Sequence, residues 1–142
     1  MSDVELEVLL PQLGAVEVEE VQAEAGLIRI SARTRNVSVA CPGCGRPSDW
    51  VHSRYVRHVA DEAVGSRPMV IDLSVRRLYC ENPDCPKATF AEQVEGLTVR
   101  YQRRTPALQG LLGAVAVELA GRAAARLLPH LHQAVSGSTL LQ

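Results

Sequence analysis

Four cysteines in two short pairs constrain this chain more than any other feature. Cys41 and Cys44 form a C-x2-C pair, Cys80 and Cys85 form a C-x4-C pair, and 35 residues lie between them. A tight loop with two cysteines offers two sulfurs to one ion. Two such loops complete the four-thiolate tetrahedron that zinc accepts, at about 2.3 Å per bond. Pro42, Gly43 and Gly45 let backbone N–H groups turn towards the sulfurs, which helps to carry the double negative charge of a zinc tetrathiolate. Arg46 and Lys87 follow the pairs closely and can offset the same charge.

Other readings of the cysteines are weaker. Two disulfides need an oxidising compartment, whereas the N-terminal MSDVELEVLL is acidic and unlike an export signal. A redox C-x-x-C needs a helix behind it, which Gly45 and Pro47 oppose. His52 or His58 can stand in for one sulfur, but their i, i+6 spacing on a predicted strand suits surface positions better. The expectation is one structural zinc ion on Cys41, Cys44, Cys80 and Cys85.

The residues before and between the pairs alternate as strands do. Residues 16–21 and 27–33 form a predicted hairpin about Glu24, Ala25 and Gly26, with Ile28, Ile30 and Ala32 on one face. Residues 51–59 are a further strand, which Gly65 to Pro68 breaks. Met69, Ile71, Leu73, Val75 and Tyr79 then alternate with Asp72, Ser74 and Arg76, and this strand delivers Cys80 at its end. After Tyr101 the period lengthens to that of a helix. Thr105 and Pro106 form an N-cap with proline at the first helical position. Leu108, Leu111, Leu112, Val115 and Leu119 make one apolar stripe. Gly121 should end or interrupt this helix, Pro129 should stop or kink a second one over Ala123, Ala124, Leu127 and Leu128, and a third should open near Ser136. The fold class expected is α+β: an N-terminal β-rich zinc ribbon followed by a small helical segment. Its divisions are a hairpin segment at 1–40, a zinc-ribbon module at 41–104 and a helical segment at 105–142.

Charge narrows the partners. The formal net charge is −1, but residues 1–40 hold three arginines against seven acids and leave a net +3 on residues 41–142. No apolar run reaches the ~18 residues of a membrane span. No membrane partner is expected, and the chain should be cytoplasmic.

Beyond these readings the chain resembles a known family, the N-terminal part of ISL-three-type insertion-sequence transposases. The resemblance rests on CPGCG, VHSRYVRHVAD, VRRLYCENPDCP, TFAEQVEGL and RRT, then SGSTLL, and covers about residues 25–142. It implies a zinc finger whose ligands are the four cysteines, a helix-turn-helix corresponding to residues 106–142, a DNA partner in the nucleoid, and an acidic-triad catalytic domain after both. Such strand transfer uses carboxylates holding two metal ions, yet residues 105–142 contain only the acid Glu118. The chain is therefore expected to be a fragment or remnant that lacks the catalytic domain, with a truncated helix-turn-helix.

The function that follows is recognition of double-stranded DNA at transposon ends, without catalysis. Candidate contacts are Arg54, Arg57, Arg76 and Arg77 on the strands and Arg100, Arg103 and Arg104 at the junction. Guanidinium forks suit both phosphates and base edges; Arg54, Arg57, Arg76 and Arg77 can equally be solvated strand faces. Most of Trp50, Tyr55, Tyr79, Phe90 and Tyr101 are assigned to a small core rather than to stacking on single strands. The alternative is a protein-interaction module self-associating through residues 106–128. An enzyme is not expected, since GxxxxGK, HExxH and GxSxG are absent and a closed thiolate shell leaves zinc no open position.

Overall fold

The structure, a computed structural model, describes residues 3–132. Its centre is a long antiparallel hairpin, β5 (Val51–Val64) and β6 (Arg67–Tyr79), paired from Val51↔Leu78 to Val64↔Arg67. Gly65 and Ser66 close it, both with positive φ (56° and 64°). Two such residues match the right-handed twist of the strands they join. The first hairpin, β1 (Val16–Glu24) and β2 (Leu27–Thr34), turns in the same way at Ala25 and Gly26.

The two hairpins are one sheet, in the order β1-β2-β6-β5. Strand β2 pairs in parallel with β6, from Ile28↔Met69 to Arg33↔Ser74. The short β7 (Thr89–Ala91) pairs with residues 77–79 of β6. The expected boundary at residue 40 therefore does not separate two cores. Ile30 and Ala32 of β2 share a buried cluster with Met69, Ile71, Leu73 and Val75 of β6.

Helix α1 (Asp3–Leu9) and the 3-10 turn Pro11–Ala15 close the same core with Leu6, Leu10 and Leu13. The hairpin segment expected over 1–40 includes no helix, and Val4, Leu6 and Val8 do alternate with Glu5 and Glu7 as in a strand. Packing overrides that pattern: the turn bonded from Leu10 N to Leu6 O (2.8 Å) brings both leucines onto the core.

After the sheet, α2 (Pro106–Leu119) opens as expected, with the Thr105 side chain accepting from Leu108 N. The break falls at Ala120 (φ 59°), one residue before Gly121, and α3 (Gly121–Leu127) runs into a 3-10 turn containing Pro129. Leu108, Leu112, Ala124 and Leu128 pack together and onto Ala60 of β5. Leu119 does not join them and is exposed, so the predicted stripe is shorter than read. The α+β class holds, with a zinc ribbon ahead of a small helical segment. The third helix expected near Ser136 lies outside the described residues. Among those described, no helix is long and apolar enough to cross a membrane.

Candidate functional site

The first cysteine pair sits in a knuckle held by the smallest sheet of the molecule. Strands β3 (Val39–Ala40) and β4 (Pro47–Ser48) pair on either side of it. Within the knuckle Gly45 N donates to Cys41 O (2.7 Å), Cys41 N to Arg46 O (3.0 Å) and Gly43 N to Cys41 Sγ (3.4 Å). Gly43 is favoured by proximity: a Cβ there would lie 3.2 Å from Cys85 Sγ and 3.0 Å from the Lys87 side chain, so both would have to give way slightly. Gly45 is required by its φ of 78°. The second pair leaves the end of β6, where Cys80 N donates to Ala88 O (3.0 Å) and Cys85 N to Asn82 O (3.1 Å). The knuckle is fixed to β6 by Ser48 Oγ donating to Tyr79 O at 2.6 Å and by Tyr79 N donating to Trp50 O at 2.8 Å.

These loops bring all four Sγ atoms within 4.8 Å of one another. Cys41 and Cys85 are 3.9 Å apart and Cys44 and Cys80 3.6 Å. Bonds of about 2.3 Å in a tetrahedron put sulfurs about 3.8 Å apart, so the donor set fits one zinc ion. Neither histidine joins it. His52 bonds to Ser53 and packs its ring on Tyr79, and His58 pairs with Asp72 at 2.5 Å. The backbone N–H of Arg46 lowers the Cys44 thiol to about 7. The Asn82 backbone favours the Cys80 thiolate too, but burial and the neighbouring sulfurs outweigh it and push Cys80 up to about 12. Crowded thiols must share protons, and a divalent ion replaces those protons. The four cysteines form a closed zinc site.

The seven arginines divide. Arg76 is the clearest correction: it is 1% exposed, and its Nε and Nη2 meet the Glu92 carboxylate at 3.1 and 2.9 Å. Glu92 also accepts from Arg76 N and from the Thr34 hydroxyl. A guanidinium closed into this network is not available to DNA. Its burial exceeds that of Asp72 and Ser74 on the same face of β6, because Glu92, just after β7, is brought against it there. Arg54 leans on Thr34 and Asn36, and Arg104 on Gln109. The other four, Arg57, Arg77, Arg100 and Arg103, line one open groove of about 900 Å³.

Lys87, from the second cysteine loop, is a fifth cation there, and the lining contains no carboxylate. None of these five makes an ion pair among the described residues. Arg57 Nη2 also donates to the carbonyls of Val99 (2.9 Å) and Gln102 (2.8 Å), which ties the 93–104 segment across β5. The expectation that the aromatic residues fill a core is corrected as well. Phe90 is buried, but Trp50 is 57%, Tyr55 40% and Tyr101 86% exposed. Tyr55 and Tyr101 line the groove. Lys87 is visible in the sequence only as a neighbour of Cys85; its place in the groove depends on how the knuckle folds back over β6.

Residues 38–85 match the family described as the zinc-finger of transposase IS204/IS1001/IS1096/IS1165. The match ends on Cys85 and takes in all four cysteines and the whole β5–β6 hairpin. The resemblance read from the sequence therefore holds for the zinc ribbon. No curated protein and no solved structure matches the chain.

Proposed function

We propose that this chain is the zinc-bearing DNA-recognition portion of a transposase-like protein, and that it binds double-stranded DNA at transposon ends without itself catalysing strand transfer. The observation that carries the reading is the groove: five cations converge on it, with no carboxylate in its lining. Clustered cations without counter-charges attract a polyanion and release its condensed counterions on binding. The zinc ribbon supports the groove, because its second loop supplies Lys87 and its hairpin supplies Arg57 and Arg77. The matched transposase zinc-finger family agrees with a nucleic-acid partner, and a DNA partner would place the chain at the nucleoid. The helical elements between Pro106 and Leu131 would belong to a helix-turn-helix that adds base contacts.

Fluorescence anisotropy on a labelled duplex across salt concentrations tests this. Affinity near physiological salt should fall at about 10⁻⁴–10⁻⁶ M, the range of phosphate-dominated binding. Replacing Arg77 and Arg103 together by Ala should make the log–log salt slope shallower by up to about two units, while Arg76→Lys should leave it unchanged. Zinc-loaded, folded protein that ignores duplex even at low salt would overturn the reading. Weight would then pass to self-association through residues 106–128, which Val117 (83% exposed), Leu119 and Leu127 favour.

A further inference from the structure

We infer that the groove also takes an unpaired nucleotide, with its base stacked on Tyr101 and its phosphate held by the surrounding cations; this rests on the DNA-binding reading above. Tyr101 is presented at the groove in a way that side-chain burial does not explain. Its backbone is left-handed (φ 65°) and its ring almost wholly exposed. A bulky residue at positive φ is strained, and such strain persists only where the surroundings over-determine it. Here they do. Gln102 N donates to Val99 O (3.0 Å), Arg57 donates to the carbonyls of Val99 and Gln102 on either side of the turn, and Ala60 N donates to Arg103 O (2.9 Å). The Arg100 guanidinium stands 4.8 Å from the ring centroid, which holds the ring from one side and adds positive charge beside it.

The surroundings suit a nucleotide. Tyr55 offers a second partly exposed ring in the same groove, opposite the buried Val75 on β6, so its backbone is fixed. Arg77, Lys87 and Arg103 supply phosphate partners without a competing acid. The volume of about 900 Å³ lies within the range of sites that enclose a small ligand, roughly 300–1,000 Å³. Bases inside a duplex are stacked on each other and offer only their edges in the grooves. An aromatic face lined by cations is instead the arrangement that holds single strands, with little sequence preference.

The test uses the full zinc-loaded chain, with labelled oligothymidine and a labelled duplex of equal length in parallel anisotropy titrations. Tyr101→Ala should weaken single-strand binding about tenfold, as loss of one stacked base does, and change duplex binding by less than about twofold. Tyr101→Phe should restore the single-strand affinity. Tyr101→Gly should lose it as the alanine variant does, yet melt at a higher temperature than Tyr101→Ala, because glycine accepts the left-handed backbone. Equal losses on both substrates, or no loss on either, would overturn the stacking role while leaving duplex recognition intact. Wild-type protein that binds neither substrate would remove the DNA-binding reading itself.

Discussion

The two ends of the β5–β6 hairpin are held together by different physics. At the turn end, one face of β6 meets β2, α1 and the 93–97 segment in a cluster of ten buried residues, from Leu13 to Leu97. At the cysteine end the comparable cluster is Cys41, Leu78 and Phe90. Three buried side chains cannot hold two loops in place against chain entropy of about 1–2 kcal/mol per residue. Metal–sulfur bonds therefore replace apolar contact there. Between the two ends lies the buried Arg76–Glu92 pair, with polar bonds on every side. The contrast explains why the strongest sequence signal lies where the hydrophobic signal is weakest.

Metal removal should break the comparison most sharply. Structural zinc sites contribute apparent free energies of about 10–16 kcal/mol, and the cysteine end has little else. Chelation should expose residues 39–48 and 80–88 to rapid hydrogen exchange while amides of residues 28–32 and 69–75 stay protected. Uniform loss of protection would mean that the packed end does not stand alone.

The buried ion pair comes next. Glu92→Ala leaves the buried Arg76 guanidinium without a counter-charge, with only the Val37 carbonyl as partner, and such a change costs about 3–5 kcal/mol. Urea unfolding of zinc-loaded protein should show this loss, and adding Arg76→Met should recover much of it. A loss below about 1 kcal/mol would rank the pair with exposed salt bridges.

The legible and illegible parts of the molecule follow the same division. The zinc ligands, the hairpin at Gly26, the alternation of Met69 to Val75 and the Thr105 cap were all local patterns, and local patterns can be read from spacing. What spacing could not carry was anything made by distant partners. The parallel pairing of β2 with β6 joins segments some forty residues apart in sequence, in the register Ile28↔Met69. Arg76 reads as a strand-face arginine until Glu92 arrives beside it. Tyr101 reads as core until Arg57 is seen to hold its turn open to solvent. Of the candidate DNA contacts, the four that share the groove were distinguishable from Arg54, Arg76 and Arg104 only by what lies across from them.

The helix cap gives a smaller effect that belongs to the packed side. The Thr105 hydroxyl donates to Asp61 at 2.6 Å as well as accepting from Leu108 N. Thr105→Ala should therefore cost about 1–2 kcal/mol. Thermal unfolding followed by circular dichroism checks it, and Thr105→Ser should recover most of the loss.

The smallest effect belongs to the Asp72 carboxylate at the packed end. Burial raises the Asp72 carboxyl, but hydrogen bonds from Arg29 and His58 outweigh it and hold it below its ordinary 3.8. A depressed folded value contributes stability above the unfolded value, and that contribution disappears as pH falls through the folded one. Asp72→Asn should thus be less stable than wild type by up to about 1 kcal/mol at neutral pH. The gap should close below about pH 4. The difference between the denaturant midpoints of the two proteins, taken at each pH from 7 to 3, measures it; acid release of zinc from the thiolates is common to both, and a gap that widens in acid would reverse the sign.

The placing of the cysteine pairs at the open end of one hairpin has a kinetic consequence. The ion ties Cys44 to Cys80 across the whole β5–β6 excursion, whose turn lies at Gly65 and Ser66. In an unfolded chain, bringing the two loops together must overcome the closure entropy of that long intervening segment. Once the hairpin has zipped up from its turn, each added rung shortens the open loop that remains, and the sulfurs arrive side by side without a search. Complete capture of the ion therefore follows strand pairing, and its rate reports when the last rungs, near Leu78 and Val51, have formed.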